Sequence, residues 1–450
     1  MSRITRSTFA FIAIATLCVS PLLAQEKTPA PAHFRPWVHN SIQPAPAFTP
    51  VKLPSTTPQP GDGETETLCR AAVAWFGDAV KRVDAMVPAA ESAAERIIAG
   101  GELYVDGTPG FDQEMFGRAG GYGFLKVWAG ERIEANDVLL IGLMRPRDPN
   151  TAHALPTLAW GGRGTRGLVV HFASHRWPGV ARAIPAIRME RWDGRLKLID
   201  TAAPAGASWA DISLQQMASA ATAWAFQGEM FAAGTRKDKT IATLASNSEP
   251  DGIRWDRRVE GMKLHPDFKV PPVAAGKIGT EYLLTCQKQV AAFLTSGEAK
   301  QVRLAAERLA RAMHRDNEVF VIISGHIHKL GAIVPRRLSH RLTLYGRPWH
   351  WKSSLLKKGD VLLDLGYLDY PTRRVQDALD AGGEAVTLAV AEGPTDARRT
   401  HIRGHWQAWD SVINVTGYPV RILPTSGVVQ TVQWYALMAE TEKALERMAK

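Results

Sequence analysis

The chain repeats itself, and that repetition constrains the fold more than any other feature. Cys69, Val73 and Phe76 recur as Cys286, Val290 and Phe293, an offset of 217 residues (286 − 69). Ala93-Ala94-Glu95-Arg96 returns as Ala305-Ala306-Glu307-Arg308 at 212, and Glu102-Leu103-Tyr104-Val105 as Glu318-Val319-Phe320-Val321 at 216. Asp137-Val138-Leu139-Leu140 matches Asp360-Val361-Leu362-Leu363 at 223, Gly161-Gly162 matches Gly382-Gly383 at 221, and Trp192-Asp193 matches Trp409-Asp410 at 217. A single shared tetrapeptide is ordinary helix composition. Six matches in order, at a nearly constant offset, indicate internal duplication.

Each copy alternates helix and strand. Continuous apolar runs at Val138–Leu143, Leu168–Phe172, Val319–Ile323, Val361–Leu365 and Ala385–Val390 predict strands buried on both faces. Amphipathic helices between them predict right-handed crossovers and a mostly parallel sheet in each copy, an α/β fold of three-layer αβα units. The copies are expected at residues 61–233 and 280–450, ending in helices near Leu214–Ala232 and Val428–Lys450. Residues 234–279 bridge them; charge and turn residues dominate there, while Trp255, Met262, Leu264, Phe268 and Val270 remain available to pack.

The N-terminus reads as an address. Arg3 and Arg6 precede the uncharged run Phe9 to Leu23, so residues 1–24 are expected to be a signal peptide cleaved after Ala24, against the alternative of an uncleaved membrane anchor; a cleaved signal makes the protein exported, to the periplasm or the medium. No other stretch is long and apolar enough to span a bilayer. Residues 25–60 hold nine prolines and read as an extended tether. The net charge of +10 comes from scattered Lys and Arg without a basic run, so nucleic acid is not an expected partner. Cys69 and Cys286 occupy equivalent places in the copies; if a local two-fold brings their helices together, an exported compartment permits a disulfide between them.

The order helix, strand with a small-residue loop, helix, strand with a polar loop, helix, strand, short strand, helix resembles the sugar isomerase (SIS) domain of phosphosugar isomerases and phosphosugar-binding regulators. The pieces that carry the resemblance are Leu103-Tyr-Val-Asp-Gly-Thr-Pro-Gly110 and Asp137-Val-Leu-Leu-Ile-Gly142, repeated as Val319-Phe-Val-Ile-Ile-Ser-Gly325 and Asp360-Val-Leu-Leu-Asp-Leu-Gly366. The tandem arrangement looks like the isomerase half of glucosamine-6-phosphate synthase. The resemblance implies a sugar or sugar-derivative ligand and no cofactor. Family members that bind phosphosugars carry Ser-x-Ser-Gly-x-Ser/Thr after the second strand. Here the matching stretches are Gly142-Leu-Met-Arg-Pro-Arg-Asp-Pro-Asn-Thr151 and Gly366-Tyr-Leu-Asp-Tyr-Pro-Thr372, which keep one threonine each and lack the serines and the glycine.

Open α/β sheets bind ligands beyond the carboxyl ends of their strands, which singles out the loops 107–114, 142–151, 324–329 and 366–373. Thr108 lies in the first. Thr151 and Thr372 stand where helices begin, where a hydroxyl either caps free amides or shares them with a bound anion. Arg145, Arg147 and Arg373 either supply charge to that anion or are solvated loop residues. Tyr367 and Tyr370 offer flat faces to a sugar ring, or simply pack. Ser324-Gly325-His326-Ile327-His328-Lys329 is the most chemically loaded stretch: His326 suits the base of an aldose–ketose isomerisation and Lys329 its oxyanion partner, against the plain reading of a surface loop. Glu114 is a second candidate base, or a carboxylate favoured by a helix dipole. His-x-His alone does not define a metal site, and no metal is expected.

These readings predict a protein that binds a carbohydrate or carbohydrate derivative at its strand ends. The alternatives are an exported sugar isomerase acting through His326 or Glu114, and a protein-interaction module built on the tether and bridge. Homodimer formation stays open, since tandem copies already supply the pairing that single SIS units achieve by dimerising.

Overall fold

Where the apolar runs of the sequence are continuous, the chain forms strands; where apolar residues recur at helical spacing, it forms helices. The computed structural model describes residues 53–450 except for 109, 144–165, 178–179, 181–194, 248, 250, 324–337, 339–340, 347–350 and 408. The first copy contains α1 (Glu64–Val80), α2 (Val83–Ile98), β1 (Leu103–Thr108), α3 (Phe111–Met115), β2 (Lys126–Val127), β3 (Val138–Leu143), β4 (Leu168–Ala173), β5 (Leu196–Asp200) and α4 (Trp209–Arg236). A bridge comes next, with β6 (Thr240–Ile241), α5 (Gly252–Val259) and β7 (Leu264–His265). The second copy contains α6 (Lys277–Thr295), α7 (Glu298–His314), β8 (Val319–Ile323), β9 (Leu342–Gly346), β10 (Val361–Leu365), α8 (Thr372–Asp380), β11 (Glu384–Ala389), β12 (Arg399–Arg403), β13 (Ser411–Ile413), β14 (Ile422–Pro424) and α9 (Ser426–Met448).

The duplication is visible in the topology. The first sheet runs β2-β1-β3-β4-β5 and the second β9-β8-β10-β11-β12, all neighbours parallel. Counted within its own copy, each sheet has the strand order 2-1-3-4-5 of a doubly wound fold. The fold is thus α/β with two parallel five-stranded sheets, as the resemblance to tandem SIS units implied. Strands β3, β4, β8 and β10 are buried along their whole length, the condition for a sheet covered on both faces.

One continuous core joins the copies. The inner faces of both sheets, through Val105, Leu140, Val170, Val321, Leu363 and Val386, pack with α1, α2, α4, α6, α7 and α9. The leading helices α1 and α6 pack on each other; α4 lies against α2 and α6, while α9 lies against α7 and α1. Each terminal helix therefore touches its own copy and the leading helix of the other. Helix α4 is buried on nearly every side from Ser213 to Thr235, which its run of alanines permits by letting neighbours approach closely.

Carboxylates secure these contacts. Glu229 of α4 accepts from the amides of Gly276 (2.7 Å) and Gly279 (2.8 Å) at the start of α6. Glu440 of α9 accepts from the amide of Thr65 (3.1 Å) at the start of α1. Free amides at a helix N-terminus need acceptors, and here the opposite copy provides them.

The bridge is ordered by aromatic packing. Trp255 meets His265, Phe268 and Tyr418 at ring separations of 5.3, 5.8 and 5.9 Å, and its indole donates to the carbonyl of Thr243 (2.8 Å). Among the described residues no helix is long and apolar enough to cross a membrane.

Candidate functional site

In a 2-1-3-4-5 sheet the chain leaves the first and third strands in opposite directions, so a crevice opens between their carboxyl ends. In the first copy that point lies between β1 and β3, in the second between β8 and β10.

The first crevice is filled at strand level. Gly107 and Gly142 are paired neighbours on β1 and β3, and the ring of Phe111 from α3 lies across both. A methyl group on Gly142 would stand 2.1 Å from that ring, and one on Gly107 would meet the carbonyl of Gly142 at 2.3 Å. Gly107 also takes a positive φ of 156°, near the extended limit. The glycines are thus there to admit Phe111, which packs on Phe172 at 6.0 Å. Thr108 ends β1 beside this plug.

Glu114 is not exposed to the crevice. It is fully buried, and Arg118, four residues on and beyond the end of α3, donates Nη1 to its Oε2 at 2.6 Å. The indole of Trp224 donates to Oε1 at 3.2 Å. Arg118 also donates Nη2 to Asp410 (3.0 Å) and to the Ser426 hydroxyl (3.2 Å), while Asp410 Oδ1 accepts from the amides of Thr425 and Ser426 at the start of α9. Burial opposes the Arg118 charge, but Glu114 and Asp410 outweigh it and hold its pKa above the ordinary value. Of the two readings of Glu114, the base facing the pocket is not what the structure places here: its carboxylate joins a buried ion triad across the two copies.

The second crevice is bounded by the exit loop of β10. That loop is pinned from below, with Gly366 accepting from Gln430 Nε2 (2.9 Å), Tyr367 from the amide of Val390 (3.2 Å) and Leu368 from that of Ala391 (2.8 Å). Tyr367 packs against the main core with its hydroxyl toward Ser246, and burial raises its pKa. Tyr370 packs at the edge of the cluster under α8, its ring 5.5 Å from that of His401 and against Gly393. Both tyrosines are half-buried and built into the loop, so neither presents a free flat face.

Helix α8 begins in this loop without a side-chain cap. Thr372 is its first residue and lies exposed, its hydroxyl turned to the carbonyl of Tyr370 at 3.5 Å. Arg373 is exposed, whereas Arg374 is engaged with the buried Asp364 of β10. The capping reading of Thr372 is therefore corrected, because an N1 residue points its side chain past the free amides. Among the described residues, Thr372 and Arg373 are the sequence candidates that stand accessible together. Arg145, Arg147, Thr151, Ser324, Gly325, His326 and Lys329 lie outside the described residues, as does the side chain of Thr108.

Cys69 and Cys286 are free thiols, both buried, so the expected disulfide is absent. Each is held inside its own helix by core packing, and Cys286 is engaged with Tyr282; burial pushes both thiols up in pKa. Sequence reading passed over Arg118 and Asp410. Arg118 stands four residues after Glu114, just past the end of α3, and Asp410 is part of the repeated Trp-Asp pair; those are the available signals.

No family model matches the sequence, and no curated protein matches it. Among solved structures the chain is similar to the C-terminal domain of glucosamine-fructose-6-phosphate aminotransferase from Francisella tularensis, at 11% identity and a TM-score of 0.43 over 83% of this chain and 96% of that one. It is also similar to tagatose-6-phosphate ketose/aldose isomerase from Escherichia coli, at 10% identity and a TM-score of 0.46 over 88% and 96%. At these values the similarity carries no functional weight; strand order and packing define the fold.

Proposed function

We propose that this chain is an exported protein that binds a carbohydrate or carbohydrate derivative at the carboxyl ends of the second sheet. The observation that supports it is the exit of β10 beside the crevice of a 2-1-3-4-5 sheet, where α8 starts without a side-chain cap and Thr372 and Arg373 stand accessible. The uncapped helix start beyond Thr372, whose own amide donates to the Tyr370 carbonyl (2.8 Å), and a guanidinium suit hydroxyl-rich or anionic parts of a sugar. Glu114 has no part in this reading, because its carboxylate is spent on Arg118 and Trp224.

Thermal unfolding against neutral sugars, sugar acids and sugar phosphates tests it. A ligand at about 100 times its Kd adds about 2.7 kcal/mol to the folded state. The expected result is a shift with at least one sugar that is lost in Thr372→Ala/Arg373→Ala. No shift, or a shift indifferent to that variant, overturns the reading. Export is checked by N-terminal sequencing of the secreted chain, which should begin at Gln25.

A further inference from the structure

The edge of the first sheet carries a second, differently built crevice. Two cavities, of about 220 and 170 Å³, lie where β5 ends between α1, α2 and α4, and Arg82 lines both. Arg82 sits at the junction of α1 and α2, half-buried, with its guanidinium 5.9 Å from the centre of the Trp75 ring. Among the described residues that guanidinium makes no hydrogen bond and no ion pair.

The carboxylates around it are committed elsewhere. Asp200 Oδ1 accepts from the amides of His175 (3.0 Å) and Ala202 (2.8 Å), and its Oδ2 lies 3.9 Å from His175 Nδ1. Asp78 is paired with Lys81 (2.9 Å), and Asp211 accepts from the amide and hydroxyl of Ser208 at the start of α4. Arg176 lines the smaller cavity, exposed and with its guanidinium likewise unpaired among the described residues; His175 lines the larger, its Nε2 buried without a partner. Burial lowers the pKa of Arg82 more than the neighbouring Asp200 and Asp78 raise it. A half-buried guanidinium loses part of its hydration, and with no protein acceptor among the described residues it remains able to receive an anion.

We infer that these cavities are a binding site for a small oxyanion, the carboxylate or phosphate group of a ligand, with Arg82 as its fork and His175 and Arg176 at its rim. A planar guanidinium held over an indole presents two parallel N–H donors to such a group. The aliphatic walls, Ala79, Met86 and Leu198, leave room beside the anion for a ring-sized body. The site is independent of the loop after β10, so it stands or falls separately from the proposal made for Thr372 and Arg373.

Calorimetric titration of the full chain with glucuronate, inorganic phosphate and glucose tests it. Glucuronate binding alone assigns the site to carboxylates; binding of inorganic phosphate assigns it to phosphates; glucose should not compete with either. Arg82→Gln should weaken the anion by about tenfold or more, with Arg82→Lys intermediate. Without ligand, Arg82→Gln should melt no lower than the parent, since it removes an unpaired, partly desolvated charge. Absence of anion binding, binding unchanged in Arg82→Gln, or a lower melting temperature for that variant without ligand would overturn the inference.

Discussion

Asp137 and Asp360 grip the same two backbone amides in the two copies. Asp137 accepts from Glu102 (2.8 Å) and Glu134 (2.8 Å), Asp360 from Glu318 (3.0 Å) and Lys357 (2.8 Å). Each aspartate stands just before the third strand of its sheet and ties the entry of the first strand to the preceding turn. Duplication has thus preserved a register device, which explains why Asp-Val-Leu-Leu is one of the recurring words.

Asp137→Ala and Asp360→Ala should therefore cost alike. Each removes two part-buried hydrogen bonds accepted by a buried aspartate, about 2 to 3 kcal/mol by urea unfolding. A negligible cost at either position would show that the paired geometry does not hold the sheets.

Arg118→Met should destabilise the fold by about 3 to 5 kcal/mol, because it strands Glu114 and Asp410 as buried, unpaired charges. Adding Glu114→Gln and Asp410→Asn should recover much of that loss in the same unfolding assay. A single variant as mild as a surface change would contradict the ion triad.

Glu229→Ala leaves the amides of Gly276 and Gly279 without their acceptor, and a cost of about 1 to 2 kcal/mol is expected. Hydrogen exchange should rise first at the start of α6. Uniform exchange would argue against a local cap.

Glu249 gives the chain a pH response. Burial raises its pKa from the usual 4.5 to about 7, opposed by Arg421. A raised acid binds its proton more tightly when folded, so its contribution is complete below about pH 4.5 and fades as pH climbs through about 7. The stability of the parent relative to Glu249→Gln should fall across that window. A flat difference would mean the carboxyl is solvated.

The two buried thiols should resist alkylation until the chain unfolds, and reductant should not change the melting temperature. Measured on a Cys18→Ser chain, any labelling at native conditions would place Cys69 or Cys286 at the surface instead.

Much of the fold was legible because it depends on local pattern. The start of α1 at Glu64, the strands β3, β8 and β10 and the packing of α1 on α6 accord with apolar spacing and with repetition. The candidate site was readable from the sequence only as an expected place, the loops at the strand ends. The roles within it were not, because they depend on which distant side chains arrive. Glu114 reads as a helix-start carboxylate until Asp410 and Arg118 are seen beside it, and Tyr367 reads as a free ring until the core closes over it.

By itself, then, the sequence determined a duplicated α/β chain with mostly parallel sheets, since periodic burial and chain connectivity leave few alternatives; the order of the strands within each sheet came from the structure. Tertiary structure alone decided that Phe111 plugs the first crevice, that Arg118 reaches a carboxylate 292 positions away, and that the Arg82 guanidinium is left with no partner among the described residues. The reason is physical: burial and pairing energies belong to three-dimensional neighbours, and no pattern along the chain encodes which polar groups will meet.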